Sequence, residues 1–136
     1  MKLLDTTIIV GILRGDEDLE GLVEELSGEE LATTVLTYFE LFSRIYHRDL
    51  KREERILRNL LKLMHVLDLD EISADRAAEI MSRLLRAGRP VNAIDVLIAG
   101  IALANGVEEV VTRDSDFEVI EKICGQPKVR LLRYRS

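Results

Sequence analysis

The chain has 136 residues, 47% of them hydrophobic, which is enough for a single globular domain over 1–136 whose core needs no disulfide or structural metal. A formal net charge of −6 argues against a wholly basic nucleic-acid-binding surface, and the single cysteine, Cys124, excludes an intrachain disulfide framework and any paired-cysteine zinc motif. No run of about 18 apolar residues occurs, and an acid at position 5 interrupts any leader-like segment, so a reduced, cytoplasmic setting away from membranes is expected.

Taken in order, short apolar runs alternate with amphipathic stretches, the pattern of an α/β domain. Lys2 to Leu4 predicts a strand and Thr6 to Leu13 a helix stopped near Gly15. Glu17 to Leu26 predicts a second helix, closed by Gly28. Leu31 to Val35 is rich in β-branched residues and predicts a strand, followed by a helix through Tyr38, Phe39, Leu41, Phe42 and Ile45. Lys51 to Met64 has Ile56, Leu57, Leu60, Leu61 and Met64 at helical spacing. Val66 to Leu69 predicts a third strand, and Ser73 to Ala87 a helix with Ser73 as its N-cap and Gly88 as its stop. NAIDVLIAGIALANG has almost no polar face, so its helix is expected to be buried on most sides. Glu109 to Thr112 predicts a strand, Ser115 to Glu118 has the spacing of a capping box, and Val129 to Leu132 predicts a last, edge strand.

Charge is unevenly placed. Arg44, Arg48, Lys51, Arg52, Arg55, Arg58 and Lys62 crowd one region, while Glu17, Asp18, Glu20, Glu24, Glu25, Glu29 and Glu30 crowd another. Both clusters read as solvated helix faces, and Arg44, Arg48, Arg55 and Arg58, at near-helical spacings, are also candidates for binding an anionic partner.

The acids carry the chemistry, and each also has a plain structural role open to it. Asp5 directly follows the first strand and suits a helix N-cap. Glu40 precedes Arg44 by four residues, the spacing of a surface ion pair. Asp95 stands among Ile94, Val96, Leu97 and Ile98, where a carboxylate needs a partner; Asn92 three residues earlier offers a capping pair. Asp114 suits an Asx-turn, and Asp116 the first turn of the helix that follows. Placement favours a common purpose. In a parallel sheet, ligands bind outside the carboxyl ends of the strands, and these elements bring Asp5, Glu40, Asp95 and Asp114 to that edge. Carboxylates held close destabilise one another unless a cation lies between them, and an all-oxygen set suits Mg²⁺ or Mn²⁺. Such a site suits phosphodiester hydrolysis by water. The only histidines, His47 and His65, lack partners at ligand or triad spacing, so a histidine acid/base pair is not expected.

With LLDTTIIV, TTVLTYFEL, NAIDVLIAGIALANG and VVTRDSDFEVI in this order, the sequence resembles the PIN-domain family over essentially its whole length, and within it the VapC-type toxin ribonucleases. The resemblance implies a three-layer α/β/α fold with a central parallel sheet and a Mg²⁺- or Mn²⁺-dependent endoribonuclease acting on single-stranded RNA. It implies an acidic quartet of Asp5, Glu40, Asp95 and Asp114, with Asp116 as a possible fifth member, metal held by Asp5, Asp95, Asp114 and Asp116, and hydroxyls of Thr6 and Thr112 beside them. A homodimer and a cognate antitoxin partner are implied as well.

Two other readings share these features. A receiver-like phosphoacceptor domain also gathers acids at strand ends, but requires paired acids after the first strand and a lysine ending a late strand, where this chain has Asp5-Thr6-Thr7 and Thr112-Arg113. A non-catalytic PIN-like RNA-binding or scaffold module would keep the fold and the basic helix surface; the complete quartet argues against it.

Overall fold

Leu3 and Leu4 are adjacent, both apolar, and point to opposite sides of a strand. In the computed structural model, which describes residues 1–134, this alternation divides two hydrophobic cores. The strands are β1 (Lys2–Leu4), β2 (Leu31–Thr34), β3 (His65–Leu67), β4 (Glu109–Thr112) and β5 (Val129–Leu131), and the helices are α1 (Thr6–Arg14), α2 (Glu20–Glu25), α3 (Val35–Arg48), α4 (Lys51–Leu61), α5 (Glu71–Arg86), α6 (Ala93–Ala104) and α7 (Asp116–Cys124). The last two positions of the expected 1–136 domain lie outside the described residues.

The described strands form one parallel sheet in the order β3-β2-β1-β4-β5. Leu4 and Val111, paired in register, face a core built with Ile8, Leu22, Phe42 and Leu57 from α1 to α4. Their neighbours Leu3 and Val110 face a second core built with Ile80, Ala99 and Phe117 from α5 to α7. Helices therefore cover both faces, which is why the central strands are apolar throughout rather than alternating. Each fully buried Leu or Ile contributes about 1.5–3 kcal/mol by leaving water. The two faces meet a chain that first winds outward through β2 and β3, then returns to start again at β4 beside β1. That reversal is the switch point where a crevice opens at the carboxyl edge.

Several boundaries depart from the sequence reading, two of them because a side chain caps the backbone at a different residue. The second helix is divided: Glu17–Leu19 is a 3₁₀ turn ahead of α2, with Asp16 and Asp18 tied to Arg113. β2 ends at Thr34, whose hydroxyl accepts the Thr37 N–H and starts α3 one residue sooner. α4 stops at Leu61, and β3 occupies His65–Leu67 rather than Val66 to Leu69. α5 is capped by Asp70, which accepts the Ser73 N–H at 2.8 Å, so Ser73 lies inside the helix and is not its cap. The capping box of α7 does not form, since the Ser115 side chain makes no cap bond. The stop of α1 is as expected: Gly15 adopts φ 71°, a left-handed conformation that glycine takes without strain. α6 is buried through Val96 and Ile98–Ala102, and it passes α5 so closely at Gly100 that a Cβ would stand 2.5 Å from the Ser73 carbonyl oxygen.

Candidate active site

β1 and β4 are neighbours on either side of the switch point, so the residues that follow them meet. Asp5 caps α1, accepting the Ile8 N–H at 3.2 Å. Its remaining capacity is taken by hydroxyls, Thr7 donating to Oδ1 at 2.6 Å and Thr112 to Oδ2 at 2.5 Å. Asp5 is only 2% exposed. Burial raises its pKa to about 6, because the loss of water outweighs the bonds from Thr112, Thr7 and Ile8 that favour the ionised form.

The same threonines hold the turn after β4. Thr112 Oγ1 accepts the Asp114 N–H at 2.9 Å, and Thr7 Oγ1 accepts the Arg113 N–H at 2.9 Å. Asp114 Oδ1 in turn accepts the Asp116 N–H at 2.9 Å, the Asx-turn its position suggested. Opposite, Asn92 caps α6 by accepting the Ile94 N–H, which leaves Asp95 in the first turn free of a capping role. The outcome is a cluster: one oxygen each from Asp95, Asp114 and Asp116 lies within 4.8 Å of the other two. The Asp95 pKa is pushed up to about 8, by burial first and then by the neighbouring Asp114, Asp116 and Asp5 carboxylates. Three acids this close are in balance only when a proton or a cation is shared among them.

Of the expected site residues, Asp95, Asp114 and Asp116 therefore converge directly, with Asp5 joined to the Asp114 backbone through Thr112. Glu40 stays apart from the three. It is exposed on α3 and is not paired with Arg44, which instead donates to Glu53 at 2.6 Å. Thr6 donates to Glu40 Oε1 at 2.9 Å. Since that uses the only proton of the Thr6 hydroxyl, the 3.0 Å contact with Thr37 runs from Thr37 to Thr6. The four arginines lie on α3 and α4 and differ in state. Arg44 and Arg58 are engaged, the latter with Glu54, the Tyr46 hydroxyl and the Phe42 ring. Arg48 and Arg55 are exposed and make no ion pair among the described residues. His47 is exposed, and His65 pairs with Glu30 at 2.6 Å on the surface.

Sequence reasoning missed three residues. Thr7 joins Asp5 to the β4 turn, and its signal was the second hydroxyl in the run Asp5-Thr6-Thr7. Thr37 backs Thr6 across the α1–α3 contact, which no local pattern reveals. Arg113 is a buried arginine inside the acidic turn, with Asp16 and Asp18 as partners.

The PIN domain profile matches residues 2–123. The chain belongs to the PIN domain family. It is 30% identical over 119 residues to Ribonuclease VapC19 of Mycobacterium tuberculosis (strain CDC 1551 / Oshkosh), spanning 86% of this chain and 92% of that one. Among solved structures, DNA-bound VapBC from Salmonella typhimurium is similar at TM-score 0.75 and 27% identity, over 95% of this chain and 96% of that one. VapBC2 from Rickettsia felis, bound to a DNA fragment from its promoter, shares the fold at TM-score 0.81 and 18% identity, over 96% and 98% of the two chains. No helix among the described residues is long and apolar enough to cross a membrane.

Proposed function

We propose that this protein is a divalent-metal-dependent endoribonuclease that cuts single-stranded RNA, and that it is the toxin of a toxin–antitoxin pair acting in the cytoplasm. The observation that carries the reading is the approach of Asp95, Asp114 and Asp116 oxygens to within 4.8 Å of one another at the switch point of a PIN fold. The relative named Ribonuclease VapC19 and the VapBC structures support it, the latter also favouring an antitoxin partner. A homodimer is part of the same reading.

The donor set fits Mg²⁺ or Mn²⁺, since it offers carboxylate oxygens with neither nitrogen nor sulfur. A divalent ion held by Asp95, Asp114 and Asp116 would supply charge neutralisation at the scissile phosphate and an acidified water. Asp5, buried and bonded by two hydroxyls, contributes negative charge near Asp95 and Asp114 and keeps the β1 and β4 ends aligned. Glu40, whose Oε1 accepts the Thr6 hydroxyl, is the fourth carboxylate of the expected quartet and adds negative charge at the α1–α3 side of the site. Arg48 and Arg55, exposed on α3 and α4, draw the RNA backbone toward the protein; Arg44 and Arg58 serve this less because acids already neutralise them.

Incubation of the purified chain with end-labelled single-stranded RNA tests the reading. Cleavage in Mn²⁺, none in EDTA and little in Asp114→Asn are expected, with 5′-phosphate ends that a 5′-phosphate-dependent exonuclease digests. Fragments bearing 2′,3′-cyclic phosphate, or full activity of Asp114→Asn at limiting metal, would refute it.

A further inference from the structure

The turn that carries Asp114 and Asp116 holds a cation that faces away from them. Arg113 stands between Thr112 and Asp114 with its side chain only 1% exposed. A buried guanidinium is costly unless its donors are paired, and the nearest carboxylates in sequence are those of the acid cluster. Arg113 uses others. Its Nη1 donates to Asp16 Oδ2 at 2.9 Å and its Nη2 donates to Asp18 Oδ2, both beyond the end of α1. The Tyr134 ring covers the guanidinium, 4.3 Å from Cζ to ring centroid. At Gly11 of α1 a Cβ would collide with Leu19 Cδ1 and stand 3.0 Å from Arg113 Nη1 and 3.2 Å from Asp16 Oδ2, so the helix passes close to the pair. The main chain of the same residue is held separately by the Thr7 hydroxyl.

Turned inward, Arg113 would neutralise the acids and compete with any cation for them. Turned outward, its charge is satisfied by Asp16 and Asp18, and its backbone becomes a fixed point in the turn. We propose that Arg113 is a positioning residue: its clamp onto Asp16 and Asp18, with the Thr7 bond to its amide, fixes residues 112–116 so that Asp114 and Asp116 present their oxygens to one divalent cation. This rests on the metal reading above. The physical content is preorganisation, because a carboxylate already held in place loses no freedom on binding. Supports of this kind are commonly worth about 10–100-fold in metal affinity.

Titration of Mn²⁺ into the full chain by calorimetry, well below the melting temperature, tests the proposal, with Asp95→Asn reporting whether binding occurs at the acid cluster. Arg113→Gln separates positioning from charge by sign. Removal of a positive charge near a cation site tightens binding by Coulomb's law alone, whereas a loosened turn weakens it. The Mn²⁺ dissociation constant is expected to rise about tenfold or more with the circular dichroism spectrum unchanged. An unchanged or lower constant overturns the proposal, whatever the melting temperature does. Thr7→Val, titrated at pH 8 where Asp5 stays ionised without its Thr7 bond, decides the matter if Arg113→Gln does not fold: weaker binding supports the clamp, with Thr7→Ser near wild type, and wild-type affinity overturns it. Hydrogen exchange of the metal-free protein keeps the two readings apart. If wild type and Asp95→Asn bind Mn²⁺ alike, the metal reading falls, but faster exchange of the Asp114 and Asp116 amides in Arg113→Gln or Thr7→Val still supports the clamp; wild-type exchange at both amides overturns it.

Discussion

The Thr112 hydroxyl donates to Asp5 Oδ2 at 2.5 Å while accepting the Asp114 N–H at 2.9 Å, so one side chain joins the ends of β1 and β4. Thr112 is fully buried and Asp5 nearly so, which means water cannot replace either bond. Thr112→Val keeps the shape and removes the donor, leaving Asp5 with Thr7 and Ile8 alone. A loss of about 1–3 kcal/mol of unfolding free energy is expected in urea at neutral pH, and Thr112→Ser is expected to recover most of it. A valine variant as stable as wild type would show that the bond makes no net contribution.

Stability of the metal-free chain is expected to fall as pH rises. The folded pKa values of Asp95, about 8, and Asp5, about 6, both exceed the ordinary carboxylate value near 3.9 of the unfolded chain. Between these limits the folded protein holds protons that the unfolded chain has released, so raising the pH favours unfolding. This contribution is complete below about pH 4 and is lost progressively up to about pH 8. Asp70 and Glu108, whose pKa values are lowered by the Ser73 amide and the N-terminal ammonium respectively, act in the opposite sense, and only at the acid end. Melting temperatures in EDTA across pH 5 to 9 measure this, and Asp95→Asn should flatten the upper half of the profile. A profile that climbs through that range would contradict the raised values.

A divalent cation should reverse that trend, since it needs the ionised form of the acids that protons otherwise occupy. At a concentration one hundred times its dissociation constant, a ligand that binds only the native state adds about 2.7 kcal/mol of stability. Mn²⁺ or Mg²⁺ is therefore expected to raise the melting temperature at pH 8 more than at pH 6. Asp95→Asn should abolish the rise while stabilising the metal-free fold at pH 8, because it removes one of three like charges. The outcome that counts against the site is a melting curve indifferent to millimolar Mn²⁺ at both pH values.

The apolar pairs Leu3-Leu4 and Val110-Val111 made the buried sheet legible, because a two-sided strand has no other use for consecutive apolar residues. Gly15 and Gly106 marked helix ends correctly by taking positive φ, and Asn105 by serving as the C-cap of α6. Legibility stopped where two nearby side chains suited the same role. Asp70 and Ser73 both suit an N-cap, and the sequence does not say that Asp70 reaches the Ser73 amide first. At the site, the strand ends identified which acids share an edge, but not their grouping. Asp116 read as a first-turn acid of the last helix, which it is, and the Asx-turn at Asp114 also brings it into the cluster. Glu40 and Arg44 had the right spacing for each other; tertiary packing gave Arg44 to Glu53 on α4 and Glu40 to Thr6 on α1. Arg113 was invisible because its partners lie nearly a hundred positions away, in a loop whose acids looked merely solvated.

Those pairings also divide the basic segment into two sets of arginines, one paired and one exposed. Arg44 spans from α3 to Glu53 on α4, and Arg58 reaches back from α4 to the Tyr46 hydroxyl and lies 4.6 Å from the Phe42 ring centroid, so both tie the two helices together. Arg48 and Arg55 do neither. A charge already neutralised by a nearby acid releases few counterions when RNA arrives, whereas each free arginine that meets a phosphate contributes a slope of about 0.7 in log affinity against log salt for a single strand. Arg48→Gln with Arg55→Gln is therefore expected to lower the slope for binding single-stranded RNA by about 1.4 without changing the melting temperature. Arg44→Gln with Arg58→Gln should leave most of the slope intact and lower the melting temperature by loosening α3 against α4. Fluorescence anisotropy with a catalytically silenced Asp114→Asn background, measured from 50 to 300 mM salt, separates the pairs. Equal slopes in wild type and Arg48/Arg55 variant would remove this surface from the RNA path and leave its exposed arginines to a protein partner.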